Sequence, residues 1–183
     1  GRHVVLGIDS VWQKTLEQAL ARSLRIADAQ RGAAVVLDPR TGAIRAMVSL
    51  PAYDNNDFIR GISQERYQAL IADENHPLFN RTIGGTYPSG STVKPFMAAA
   101  ALEEGLITEG TSLLSSGGIQ VGEWFFQDWK AGGHGPTNVI KALAESVNTF
   151  FYIIGGGYRT EEGMGVEKIT RYLRALGWGE PLG

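Results

Sequence analysis

The sequence predicts a mixed α/β chain of the α+β kind, and three observations carry that prediction. Ala33 to Asp38 and Ala43 to Ser49 are apolar, β-branched runs separated by Pro39-Arg40-Thr41-Gly42, a turn signal, so they read as a β-hairpin. Apolar residues recur at helical spacing near both ends of the chain, as Val11, Leu16, Ala19, Leu20 and Leu24 and again as Val166, Ile169, Tyr172, Leu173 and Leu176. Between these lies Thr92 to Glu104, whose stretch Phe96 to Leu102 is apolar all round, the pattern of a central, buried helix.

Taken in order, Leu6-Gly7-Ile8 reads as a short strand. Asp9 or Ser10 then caps a helix through about Ile26. The first hairpin strand is mostly apolar, which predicts a place inside a sheet rather than on its rim. Pro51 to Asn56 is a polar loop, and Ser63 starts a short helix through about Ala72 with Gln64, Glu65 and Arg66 outward. Asp73 to Pro77 is loop, and Leu78 to Arg81 leads into a glycine-rich approach. The main helix ends at Gly105, a good C-cap. Thr108 to Trp129 is irregular, with Ile119 to Val121 and Trp124 to Phe126 able to pair across Gly122-Glu123. Lys130 to Pro136 is loop. Thr137 or Asn138 caps a helix through about Glu145, and Ser146-Val147-Asn148 is a break. Thr149 to Ile154 is helical by context, Gly155 to Gly157 ends it, and Gly177 closes the last helix.

Composition sets outer bounds. The chain has 183 residues, enough for one domain with a real core, and is 43% hydrophobic and 20% charged. Its net charge of −2 and lack of a basic run give nucleic-acid binding no electrostatic support. No run of about eighteen apolar residues marks a membrane span, and no signal peptide is visible. The start at Gly1-Arg2-His3 has the look of an excised piece. With no cysteine, disulfides and thiolate metal sites are ruled out.

Chemistry concentrates where a Gly/Pro/Ser turn enters the apolar helix, at Tyr87-Pro88-Ser89-Gly90-Ser91-Thr92-Val93-Lys94-Pro95. Pro95 forbids regular helix before Ser91, so Ser91 is expected at or next to the N-cap. Lys94 lies about one turn on and on the same face. A hydroxyl beside an amine is a nucleophile with a candidate base, and partial burial would lower the amine's pKa toward a working range. Ser-x-x-Lys alone is weak, since serine caps helices and first-turn lysines are usually solvated. A phosphate loop fails because Ser91, not lysine, follows Gly90. Ser146 and Asn148 form a second site of interest, where a hydroxyl relays protons and an amide both donates and accepts. Asp128 and His134 make only two ligands of a metal site, so His134 is expected to bond backbone and shape its loop. No Ser-His-Asp triad assembles from three histidines.

Ser91-Thr92-Val93-Lys94 followed by Ser146-Val147-Asn148 resembles the penicillin-binding proteins, whose signature, shared with class A β-lactamases, runs S-x-x-K, S-D-N and K-T-G. Ala34 to Ile44 with Ala46 to Ser49 is similar to the family's opening hairpin. Asn80-Arg81, Asp128-Trp129-Lys130, Gly133-His134-Gly135 and Ala144 to Tyr152 match the class B transpeptidases, with elongation-type members nearest. The resemblance covers nearly the whole chain. The third motif is missing: Lys130-Ala131-Gly132 precedes Ser146, whereas the family's Lys-Thr/Ser-Gly follows it.

The resemblance implies one partial transpeptidase domain over residues 1–183, with no separate second domain and the last sheet strands missing after Gly183. It implies a peptidoglycan D,D-transpeptidase: Ser91 attacks a stem peptide ending in D-Ala-D-Ala, Lys94 takes its proton, Ser146 delivers a proton to the leaving D-Ala, and Asn148 holds the substrate amide and orients Lys94. No metal or cofactor is expected. The implied partners are the stem peptide, β-lactams and cell-wall elongation proteins. A membrane anchor outside this chain would hold the full-length protein on the extracytoplasmic, periplasmic face. Without the third-motif strand and its oxyanion donor, this polypeptide alone is expected to acylate poorly. Two other readings stay open at this point, a class D-like β-lactamase or β-lactam sensor and a non-catalytic cell-wall interaction module.

Overall fold

The computed structural model describes residues 3–179 and divides the chain into two compact units, one reaching to Tyr87 and the other starting at Pro88. The sequence termini named above, Gly1-Arg2 and residues 180–183, lie outside the described residues.

In the N-terminal unit, α1 (Ser10–Ile26) begins where Asp9 caps the N–H groups of Val11 and Trp12 at 2.8 and 3.1 Å. Strands β1 (Gly32–Leu37) and β2 (Ile44–Leu50) form the expected antiparallel hairpin, in register Ala34↔Val48, with an irregularity at Val36/Leu37. Gln13 fastens α1 to the hairpin: its amide donates to the Met47 carbonyl at 2.7 Å and accepts from the Met47 N–H at 2.8 Å. One expectation changes here. Leu6-Gly7-Ile8 is not a strand. Among the described residues β1 pairs only with β2, and Val35 and Leu37 are exposed on the open side of the hairpin. Helix α2 (Gln64–Ala72) is capped by Ser63, and the short α3 (Arg81–Gly84) by Asn80. The buried Arg81 guanidinium donates to the carbonyls of Asn75, His76 and Phe79.

Among the described residues the C-terminal unit holds four α-helices and two short strand pairs. A 3₁₀ turn, Gly90–Val93, leads into α4 (Lys94–Glu103), which Gly105 closes at φ 66°. Strands β4 (Gly118–Val121) and β5 (Trp124–Gln127) make the expected hairpin, in register Val121↔Trp124. A second pair, β3 (Leu113–Ser115) with β6 (Gly135–Thr137), replaces what the sequence reads as irregular chain and loop. Asn138 caps α5 (Val139–Ala144), and α6 (Asn148–Gly156) and α7 (Gly165–Ala175) follow. The core gathers Ala98 and Ala101 of α4, Ala142 of α5, Val147, and Phe150 and Ile154 of α6. Small side chains on α4 let the large apolar residues of α6 close against it. Ala99 and Leu102 are exposed, so α4 is buried along one stripe rather than all round.

Candidate active site

Ser91 does not cap α4. That helix begins at Lys94, with Val93 at the cap position making no side-chain bond and Pro95 in the first turn. Gly90, at φ 56°, makes the turn that a side chain would resist. The Ser91 hydroxyl is therefore not consumed by capping, and it lies exposed on the 3₁₀ turn.

Lys94 points inward and is 8% exposed, its Nζ 5.4 Å from the Phe151 ring centroid. Three oxygens surround the amine: the Ser146 carbonyl at 2.7 Å, Ser146 Oγ at 3.0 Å and Asn148 Oδ1 at 2.6 Å. Ser146 Oγ also hydrogen-bonds Ser91 Oγ at 3.0 Å. The hydroxyl and the amine of Ser-x-x-Lys are thus joined through Ser146, not by a direct bond. All four residues expected from the sequence converge at one point, and Ser146 occupies its centre.

The donors and acceptors define what this point can do. An ammonium at Lys94 satisfies all three oxygens. When it loses a proton, its lone pair must face a donor, and only the Ser146 hydroxyl can donate; the carbonyl and the amide oxygen accept only. Burial pushes the Lys94 pKa down, while the charge of Asp128 opposes the fall. Net, the amine loses its proton more readily than a solvated lysine.

Ser91 and Ser146 open onto a groove whose walls include Trp129, Lys130, His134 and Glu145. Sequence reasoning assigned no site role to Trp129, Lys130 or Glu145, though Asp128-Trp129-Lys130 was part of the matched pattern. The Trp129 Nε1–H donates to the Glu145 carbonyl at 3.1 Å, and its ring meets the His134 ring edge-on at 5.1 Å. His134 departs from expectation. Its buried ring bonds the Glu145 carboxylate through Nδ1 at 2.6 Å rather than a backbone group, and this contact lowers the Glu145 pKa. Asp128 Oδ1 stands 3.7 Å from His134 Nε2, and among the described residues no three His, Cys, Asp or Glu side chains gather as a metal site. A separate cleft in the N-terminal unit, walled by Val35, Phe79, Arg81 and Tyr87, has no serine or lysine among its lining residues.

A mixed α/β scaffold with a serine and a buried lysine bridged by a second serine defines the class, the penicillin-recognising serine proteins. The family follows directly. The model of the penicillin-binding protein transpeptidase domain matches residues 32–183, and the chain belongs to that family. The chain is 41% identical over 185 aligned residues to peptidoglycan D,D-transpeptidase MrdA of Escherichia coli strain K12, covering 100% of this chain and 27% of that protein. Among solved structures, PBP2 of Pseudomonas aeruginosa in complex with WCK 5153 superposes with a TM-score of 0.82 at 35% identity, over 98% of this chain and 38% of that one. PBP2 of Helicobacter pylori, in its complex with MreC, gives 0.80 at 37% identity, over 94% and 30%. The chain thus spans about a quarter to two-fifths of the length of these relatives.

Proposed function

We propose that this chain is the nucleophile-bearing part of a peptidoglycan D,D-transpeptidase, which cross-links stem peptides through a serine acyl-enzyme and is acylated by β-lactams at the same serine. One observation carries the reading: a single hydroxyl, Ser146 Oγ, stands 3.0 Å from both the Ser91 oxygen and the Lys94 amine.

In this reading the Ser91 proton passes to Ser146 Oγ as the Ser146 proton passes to the neutral Lys94 amine. Ser91 Oγ then bonds the carbonyl carbon of the penultimate D-Ala. The bond to the terminal D-Ala breaks, and the proton held by Lys94 returns through Ser146 to the leaving nitrogen. An amine from a second stem peptide attacks the ester carbonyl; its proton passes by way of Lys94 and Ser146 to Ser91 Oγ as the ester C–O bond breaks, and the new amide is the cross-link. Asn148 holds the Lys94 amine and offers its NH₂ to the substrate amide. The N–H of Ser91 serves as one oxyanion donor. The second is assigned to the family's third-motif strand, because this sequence has no Lys-Thr-Gly or Lys-Ser-Gly. Residues 1–183 are read as one portion of the transpeptidase domain, the complete protein being anchored at the membrane with this portion on the periplasmic side. Cell-wall elongation proteins are its partners in this reading, by analogy with the MreC complex of the Helicobacter protein.

Labelling of the natural full-length protein with fluorescent penicillin tests this. Stoichiometric covalent labelling that Ser91→Ala abolishes is the expected result. A protein that takes no label, or that turns over nitrocefin rapidly without retaining an acyl group, overturns it.

A further inference from the structure

Asp128 is the one acidic residue fully withdrawn from solvent among the described residues, at 1% exposed. A buried carboxylate needs close partners, and Asp128 has five. Oδ1 accepts from the Trp129 N–H at 2.8 Å and the Asn148 N–H at 3.3 Å. Oδ2 accepts from the Thr149 N–H at 2.8 Å, the Thr149 hydroxyl at 2.6 Å and the Ser115 hydroxyl at 3.4 Å. Two of these donors are the first N–H groups of α6, which have no partner within their own helix. Burial pushes the Asp128 carboxyl up, but the Thr149, Asn148 and Trp129 donors more than offset it, so the group is an anion.

What Asp128 grips from behind is the bend that faces Lys94. Ser146 sits at φ 54°, a conformation that an L residue with a side chain keeps only where its surroundings over-determine it. Val147 is fully buried and pins one side of the bend. The next two residues, Asn148 and Thr149, are the ones tied to Asp128. That single bend supplies every oxygen around the amine: the Ser146 carbonyl, Ser146 Oγ and Asn148 Oδ1.

We propose that Asp128 is a positioning residue for acyl transfer by Ser91, clamping the start of α6 from inside the protein so that the Ser146 and Asn148 oxygens stay on the Lys94 amine. The proposal rests on the transpeptidase reading for its chemistry, but the clamp has a readout independent of that reading. Asp128 touches neither Ser91 nor the groove's solvent face. Its action runs through the backbone of Asn148 and Thr149, and through its charge, which favours the ammonium form of Lys94.

The test uses the full-length protein labelled with ¹³C at lysine Cε, the Lys94 signal being identified by its loss in Lys94→Arg. In Asp128→Asn the Lys94 titration midpoint is expected to fall, because a supporting charge is lost and the oxygen cluster loosens. The other ionisable groups around the groove are Lys130, His134 and Glu145, and His134 Nε2 itself stands 3.7 Å from Asp128 Oδ1. Penicillin acylation of Ser91 is expected to fall about a hundredfold, the penalty for misplacing reacting groups by roughly an ångström. A plain loss of folded protein would lower labelling without moving the midpoint. If Asp128→Asn does not fold, Thr149→Val removes one donor and keeps the charge. It is expected to move the midpoint the same way by less, with Thr149→Ser restoring it. An unmoved midpoint in the folded variant overturns the clamp even if wild-type labelling succeeds. A moved midpoint in a protein that penicillin never labels supports the clamp and overturns the transpeptidase reading instead.

Discussion

Replacing Ser146 by alanine removes one oxygen and cuts the hydrogen-bonded link between Ser91, the proposed nucleophile, and Lys94, the proposed base. Ser146 Oγ is 3.0 Å from Ser91 Oγ and 3.0 Å from Lys94 Nζ, and Lys94 has no direct bond to Ser91. The amine keeps two of its three oxygens, the residue 146 carbonyl at 2.7 Å and Asn148 Oδ1 at 2.6 Å. The bend and the burial of Lys94 therefore survive, and the stability loss is that of two partly exposed hydrogen bonds, about 1–2 kcal/mol. The kinetic loss is much larger. Proton transfer by a positioned side chain contributes about a hundred- to ten-thousandfold, and each tenfold is about 1.4 kcal/mol of barrier. Roughly 3–5 kcal/mol of transition-state stabilisation is therefore at stake. The assay is the second-order rate of fluorescent penicillin labelling of the full-length protein, alongside its thermal unfolding. Ser146→Ala should fold normally and label at least about a hundredfold more slowly. A variant that labels at close to the parent rate would show that Ser91 reaches Lys94 without Ser146, and the relay would be wrong.

Four further outcomes are expected. Ser91→Ala should abolish covalent labelling and shift thermal stability by less than about 1 kcal/mol, since the exposed hydroxyl's one side-chain partner is Ser146. The labelling rate should rise with pH as Lys94 deprotonates, with a midpoint below that of a free lysine because burial lowers its pKa. Asn148→Asp, which puts a carboxylate in place of an amide oxygen 2.6 Å from the amine, should move that midpoint up by favouring the ammonium. Gly133→Ala should lower the unfolding temperature, because its Cβ would sit 2.2 Å from the Ser115 carbonyl oxygen at φ 78°. The cost should exceed about 1 kcal/mol, as expected where alanine is placed at a positive φ it resists.

Much of the fold was legible because its signals are local. The hairpin and α1 announce themselves through β-branched runs, a turn and an Asp9 cap, all within a few residues of each other. Strands β3 and β6 are three residues each, and β3 meets β6 across about twenty residues of intervening chain. No periodicity can be read from so short a run. Leu6 to Ile8 shows the converse. An apolar triplet has strand propensity, but propensity needs a ladder partner, and this segment forms none as a strand.

The sequence by itself singled out the candidate residues: Ser91 and Lys94 by their spacing at the mouth of an apolar helix, Ser146 and Asn148 by the pattern they complete. The tertiary structure decided how they are wired. Lys94 meets Ser146 across 52 positions of chain and Thr149 meets Asp128 across 21, distances over which helical or strand spacing says nothing. Asp128 with the nearby His134 reads as an incomplete metal pair in one dimension. It becomes a clamp only when packing buries its carboxylate against the unpaired N–H groups of α6, and burial is a property of the whole fold.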